Sequence, residues 1–164
     1  MIGRPYQREF ERFVRTSSGS LTRTAFLLCG DRGAAEDLVQ VALTRTARRW
    51  RVARSNPEAY TRRVVVNLVR DRWRDLSRRP AEVFVDIEAP VPERPDGPWL
   101  DQLSEAVERL SDEQRSAVVL RYVEGLSIEE TAAALGCTAS AVKSRSHRGV
   151  MALRSLLAPE TATK

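Results

Sequence analysis

Lys143, Ser144, His147 and Arg148 sit close together near the end of this 164-residue chain, and no carboxylate occurs between Ala139 and Ala158. Cations, hydroxyls and an imidazole at that spacing suit phosphates and base edges of a nucleic acid. A second group lies upstream. If residues 57–77 are helical, Tyr60, Arg63, Asn67, Arg70 and Arg74 share an arc of about 80°. Arginines interleaved with an aromatic ring suit phosphate binding plus base stacking. The preceding short polar loop, Arg51 to Asn56, with Trp50 behind it, offers a place for an unstacked base. Plainer readings stand beside these: a solvated basic helix face, a surface histidine, and an asparagine held by a local hydrogen bond.

Other chemistry is poorly supplied. The chain has one histidine, no glycine-rich phosphate loop, and no His, Cys and carboxylate cluster at ligand spacing. Cys29 and Cys137 cannot build a disulfide framework and read as reduced, small hydrophobes. A nuclease needs clustered carboxylates, whereas Asp71 and Asp75 sit among arginines. No enzyme, cofactor or metal is expected. The net charge of +5 and a pI near 9.9 favour a polyanionic partner. No apolar run approaches the roughly 20 residues of a spanning helix, and Met1 to Pro5 does not resemble a secretion signal. A cytoplasmic protein without membrane insertion is expected.

Charge and proline divide the chain. Arg48 to Arg79 holds eleven arginines against Glu58, Asp71 and Asp75, a balance of +8. Pro80 to Glu108 holds eight acids against Arg94, a balance of −7. Five of the eight prolines fall between Pro80 and Pro98, where helices must stop. The expected architecture is all-α: two small helical domains, residues 6–77 and 99–158, joined by a proline-rich acidic linker, 78–98. In the first domain, Phe10, Phe13 and Val14 mark one helix, and Ser20 caps a second that Gly30 ends. A stripe from Ala35 to Trp50 marks a third, and Pro57 starts a fourth, with Val65, Leu68, Val69 and Leu76 on the side away from the Tyr60–Arg74 arc. In the second domain, Leu100, Leu103, Val107 and Leu110 form a stripe. Ser111 with Gln114 starts a helix running to Val123, which Gly125 ends.

Ser127 to Val142 carries the strongest local signal. Ser127 and Glu130 form a capping box, Ala132 is small enough for a close helix crossing, and Gly136 permits a left-handed turn. Val142, Ile128 and Leu135 close a small core, and Thr138 caps the next helix. This spacing predicts a helix-turn-helix, with an ordinary helical hairpin as the alternative. On the last helix, Val142, Ser146, Gly149, Val150, Leu153 and Leu157 point inward, while Ser140, Lys143, Ser144 and His147 point outward with Arg148 on the flank. A stand-alone repressor or activator would use this motif alone, but it leaves the Tyr60–Arg74 arc unexplained.

Three blocks in order, Ala34 to Leu43, Pro57 to Asn67, and Leu110 to Arg115 followed by the helix-turn-helix ending Val142-Lys143-Ser144-Arg145, resemble the extracytoplasmic-function sigma factors of the SigE-like type. The resemblance spans about Phe10 to Leu157 and departs at Ser146, where the family often carries an apolar residue. It implies a factor that binds core RNA polymerase and directs promoter-specific initiation. Asp37, Leu38 and Gln40 would dock on polymerase. Trp50, Arg51, Tyr60, Arg63, Asn67, Arg70 and Arg74 would open and hold the −10 element. Thr138, Ser140, Lys143, Ser144, Arg145, His147 and Arg148 would read or clamp the −35 element. Promoter DNA and an anti-sigma factor are the further partners implied, and the acidic linker would mimic nucleic acid inside polymerase.

Overall fold

A computed structural model describes residues 2–78 and 97–158. Among these, every regular element is helical. The expected linker falls almost wholly outside the described residues.

Four helices make the N-terminal half: α1 (Arg4–Cys29), α2 (Arg32–Arg48), the single turn α3 (Trp50–Ala53) and α4 (Pro57–Arg78). The expected break at Ser20 does not exist. Ser20 does not cap a second helix; its hydroxyl donates to the Ser17 carbonyl, and Thr22 donates to Ser18. Hydroxyls turned back on their own helix leave the backbone ladder intact. Burial of Phe13, Ser17, Leu21 and Thr24 to Leu28 then outweighs the weak propensity of the Ser-Gly-Ser stretch. Gly30 ends the helix in the left-handed region (φ 74), its N–H reaching the Phe26 carbonyl at 2.7 Å. Asp31 caps α2 by accepting from the Ala34 N–H at 2.9 Å. The α2 helix stops at Arg48, and Trp50 opens α3 rather than closing α2. The expected loop is therefore shorter, since Arg51 to Ala53 are helical. Asn56, with its side chain accepting from the Ala59 N–H at 3.2 Å, caps α4.

The C-terminal half holds α5 (Pro98–Glu108), α6 (Asp112–Val118), a π-helical turn (Val119–Val123), α7 (Ile128–Leu135) and α8 (Ala139–Leu157). Ser111 caps α6 as expected. The helix does not run regularly to Val123, however. One wider turn intervenes, closed by the Glu124 N–H on the Val119 carbonyl at 3.1 Å. Both contacts of the Ser127–Glu130 capping box are present, and Thr138 accepts from the Ala141 N–H at 3.1 Å. Gly136 turns left-handed (φ 63) between α7 and α8. Behind α8, a side-chain carbon at Gly149 would lie 2.5 Å from Val118, so glycine lets α6 and α8 touch. Ser146 is buried without an orphaned hydroxyl, because its Oγ donates to the Val142 carbonyl at 2.7 Å. One inward assignment fails, since Leu157 is exposed, and Leu76, on the side of α4 away from the arc, is exposed as well. Leu157 lies in the final turn of α8, and Trp73 rather than Leu76 packs against the core.

The two halves share one core. Leu27 and Leu28 of α1, Val65, Val66 and Val69 of α4, and Leu100, Val119 and Leu120 of the C-terminal half are fully buried in it. Each such side chain contributes about 1.5–3 kcal/mol of apolar burial.

Candidate nucleic-acid interface

The α8 surface is built by its N-terminal devices. Gly136 reverses the chain, Thr138 fixes the first turn, and Val142, Ser146 and Gly149 seat one side of the helix. Ser140, Lys143, Ser144, His147 and Arg148 are consequently all exposed on the other side. Arg145 does not join them. It is half-buried, 140° around the helix from Ser140, and its Nη2 reaches Glu113 of α6 at 3.2 Å. Thr138 is exposed, but its hydroxyl already accepts from the α8 backbone.

The second surface is a composite. Arg63, Asn67, Arg70 and Arg74 are exposed along α4, and Tyr60 is half-buried. Tyr60, Val64 and Asn67 form one wall of a groove of about 430 Å³. Arg45, Arg48 and Arg49, from the end of α2, form the other. Sequence reasoning passed over these three arginines. Their i, i+3, i+4 spacing put them on one side of α2, but only packing of α2 against α4 shows which surface they join. Arg74 pairs with Asp71 at 2.7 Å on the surface. Arg70 Nη1 donates to the Leu135 carbonyl of α7 at 2.8 Å.

Trp50 must be removed from the set of base contacts. It is 3% exposed and packs edge-on against Phe10 at 5.1 Å and beside Phe13 at 5.7 Å. The α3–α4 junction rests on that cluster, and Arg54 ties it down. Arg54 grips Glu9 through Nε (3.3 Å) and Nη2 (3.1 Å) and lies over the Tyr6 ring at 4.8 Å. Hydrogen bonding to the Glu9 carboxylate pushes the Arg54 pKa up further. Arg51 stays exposed. Beside this junction opens a cavity of about 560 Å³, with Ser55, Asn56, Tyr60 and Arg63 on one side and Ala133 and Ala134 of α7 on the other.

On α2, Asp37 and Gln40 are exposed, with Val41 and Thr44 beside them. Leu38 is half-buried and packs against the core, so it supports this face more than it forms it. The Cys29 thiol is pushed up in pKa, mainly by burial, which favours its protonated form.

The sigma-70 region 2 family model matches residues 13–79, and the sigma-70 region 4 model matches residues 100–153. The chain is 40% identical to the RNA polymerase sigma-E factor of Streptomyces coelicolor over 91% of this chain and 86% of that protein. The chain belongs to the extracytoplasmic-function sigma factors. Its similarity to the ECF sigma factor SigE of Mycolicibacterium smegmatis is 35% over 93% of this chain and 63% of the relative. Among solved structures, the sigma factor RpoE of Bartonella quintana, crystallised with the anti-sigma factor NepR, matches with a TM-score of 0.73 and 26% identity. That match covers 92% of this sigma factor and 97% of the other chain, so it spans both halves. The α2–α4 groove lies within the region 2 match, and the outward face of α8 within the region 4 match.

Proposed function

We propose that this sigma factor binds core RNA polymerase and directs promoter-specific initiation, with α8 reading the −35 duplex and the α2–α4 groove holding the opened −10 strand. One observation carries the reading: two cationic surfaces of different construction stand on the two halves. The α8 face offers Ser140, Lys143, Ser144, His147 and Arg148 from a single helix, the form that enters a major groove. The other combines Arg45, Arg48 and Arg49 with Tyr60 and Asn67 in a concave groove, the form that tracks a single strand.

Arg51, Arg63, Arg70 and Arg74 extend that groove, and Trp50 serves it by packing. Arg145 positions α8 through Glu113. Opening draws on binding of exposed bases, about 1–3 kcal/mol per stacked base, with no nucleotide hydrolysis. Asp37 and Gln40, with Val41 and Thr44, form the α2 face for polymerase. A protein partner, polymerase or an anti-sigma factor, also has an apolar groove available on the C-terminal half. Leu103, Val123, Leu153 and Leu157 line it beside Tyr122, which is 59% exposed. The factor acts where polymerase works, in the cytoplasm. Run-off transcription with core polymerase on a genomic promoter pool tests the reading. New start sites are expected when the protein is added, and silence at every start site would overturn it.

A further inference from the structure

The buried residues of α2 and α4, the two helices that wall the strand groove, are apolar with one exception on each. On α2 they are Ala35, Val39, Ala42, Leu43 and Thr46, and on α4 Thr61, Val65, Val66 and Val69. The two threonines face each other. Both are fully buried, and their Oγ1 atoms stand 3.0 Å apart. Thr46 Oγ1 also donates to the Ala42 carbonyl at 2.8 Å, and Thr61 Oγ1 to the Pro57 carbonyl at 2.7 Å. Each hydroxyl has one proton, so two protons serve three contacts. When one proton crosses between the helices, the other stays on its own helix. The carbonyls alone can satisfy both hydroxyls, so the fold does not need the bridge. Two apolar groups of the same shape would fill this space nearly as well.

What the bridge does fix is how the two helices are turned. Arg45 and Arg49 lie about 100° and 60° around α2 from Thr46, and Tyr60 and Val64 lie about 100° and 60° around α4 from Thr61. The groove walls therefore move whenever either helix rolls about its axis. A roll of about 10° carries a side-chain tip, roughly 6 Å from that axis, through about 1 Å. Apolar burial has no preferred direction and leaves the roll loosely set. A hydrogen bond weakens steeply once its angle is lost, and a site whose walls are about 1 Å out of place binds poorly.

We propose that the Thr46–Thr61 pair is a positioning device for strand binding: the hydrogen bond between the two hydroxyls sets the roll of α2 against α4, and with it the spacing between the arginine wall and the Tyr60–Asn67 wall. The proposal rests on the −10 role given to this groove. Both threonines are fully buried, so neither meets the strand itself. A strand entering the groove finds the walls already in register, and less ordering is left to the binding step. Without the bridge the register is held in only part of the molecules, and affinity falls with that fraction. One molecule in about five in register would bind about fivefold more weakly.

The test uses holoenzyme made from core polymerase and the full-length wild type, Thr46→Val with Thr61→Val, or Thr46→Ser with Thr61→Ser. Two labelled probes come from one promoter found by run-off transcription. One is a fragment whose −10 segment is left unpaired by a mismatched template strand, and the other is a fully paired fragment carrying the −35 element alone. The valine pair keeps the shape and removes the hydroxyls. It is expected to melt at or above the wild-type temperature and to bind the paired fragment normally, while holding the unpaired one about fivefold more weakly. The serine pair keeps the hydroxyls and loses two buried methyl groups. It should melt lower yet hold the unpaired fragment at close to wild-type affinity. A valine pair that holds the unpaired fragment like the wild type, one that melts well below it, or a serine pair that loses the fragment as the valine pair does would each overturn the proposal. Arg48→Ala with Arg49→Ala separates this from the underlying reading. Normal retention of the unpaired fragment by that variant removes the −10 role of the groove, whereas weak retention alongside an unaltered valine pair removes only the positioning role.

Discussion

The surface on α8 and the groove between α2 and α4 are both cationic, yet they are made in opposite ways. On α8, one backbone fixes every outward residue, and the far side of the same helix seats it through Val142, Ser146 and Gly149. In the groove, Arg48 and Asn67 come from different helices, and the α3–α4 junction hangs on an aromatic cluster beneath it. A single-helix reader is rigid and suits a duplex of fixed shape. An assembled groove has several walls, each of which can shift, and suits a strand whose bases must be accommodated one at a time. The two should therefore fail in different ways.

The largest expected failure is in the groove. Trp50→Ala empties the space between Phe10 and Phe13 and should cost about 3–5 kcal/mol, read as a lower urea midpoint. Trp50→Phe should fold and still bind single strands at close to wild-type affinity. A Trp50→Phe protein that folds normally but cannot hold the strand would return Trp50 to the bases and break the packing argument.

Next comes the seat of α8. Gly149→Val drives a branched side chain into Val118, where even a single added carbon would approach to 2.5 Å. Overpacking of this kind costs about 1–3 kcal/mol, against less than about 1 kcal/mol gained by removing a mid-helix glycine. Duplex binding should fall and the thermal midpoint should drop, while single-strand binding by the groove stays near wild type. Equal loss on both surfaces would mean that the halves do not fail separately.

The same contrast explains what could be read from residue order. Faces within one helix follow from 100° steps, so the exposure of Lys143, Ser144 and His147 and the burial of Val142, Ser146 and Gly149 were legible, as were the caps at Thr138 and Ser127. Arg145 was misplaced, because being basic beside the reading face said nothing of its Glu113 partner on α6. Properties that need two elements were hidden. Arg45, Arg48 and Arg49 were assigned to no site, and Trp50 was placed among the base contacts. The Ser20 break was predicted from local propensity, and packing along both ends of α1 overrode it. The fastening of the halves through Glu124, Arg115 and Arg70 has no signature in periodicity, since each is one charged residue bonded across 62 or more positions to a carbonyl, a hydroxyl or a charge.

Salt dependence sharpens the comparison with a smaller effect. Each phosphate contact contributes about 0.9 to the slope of log affinity against log salt on duplex and about 0.7 on single strands. Lys143→Ala with Arg148→Ala should thus lower the duplex slope by up to about 2 and leave the single-strand slope alone. Arg48→Ala with Arg49→Ala should lower the single-strand slope by up to about 1.4 and spare the duplex. Titrations of a labelled duplex pool and a labelled single strand at several salt concentrations measure both. A crossed result, with the α2 pair altering the duplex slope, would assign those arginines to the wrong surface.

The smallest effect concerns the helix that borders both surfaces. Glu130 closes the capping box of α7, and bonds to the Ser127 backbone and hydroxyl hold its carboxyl below the usual value, with a lesser contribution from the Arg62 charge of α4. A folded pKa depressed below the unfolded one means that the stabilisation is fully present above the unfolded pKa, about 4.3–4.5. It is lost as pH falls through the lower folded value. Glu130→Ala should therefore unfold at lower temperature than the wild type near neutrality, and the gap between the two melting curves should close in acid. A gap that stayed constant down to about pH 2–3 would show that the residue acts through helix propensity or packing rather than through its charge.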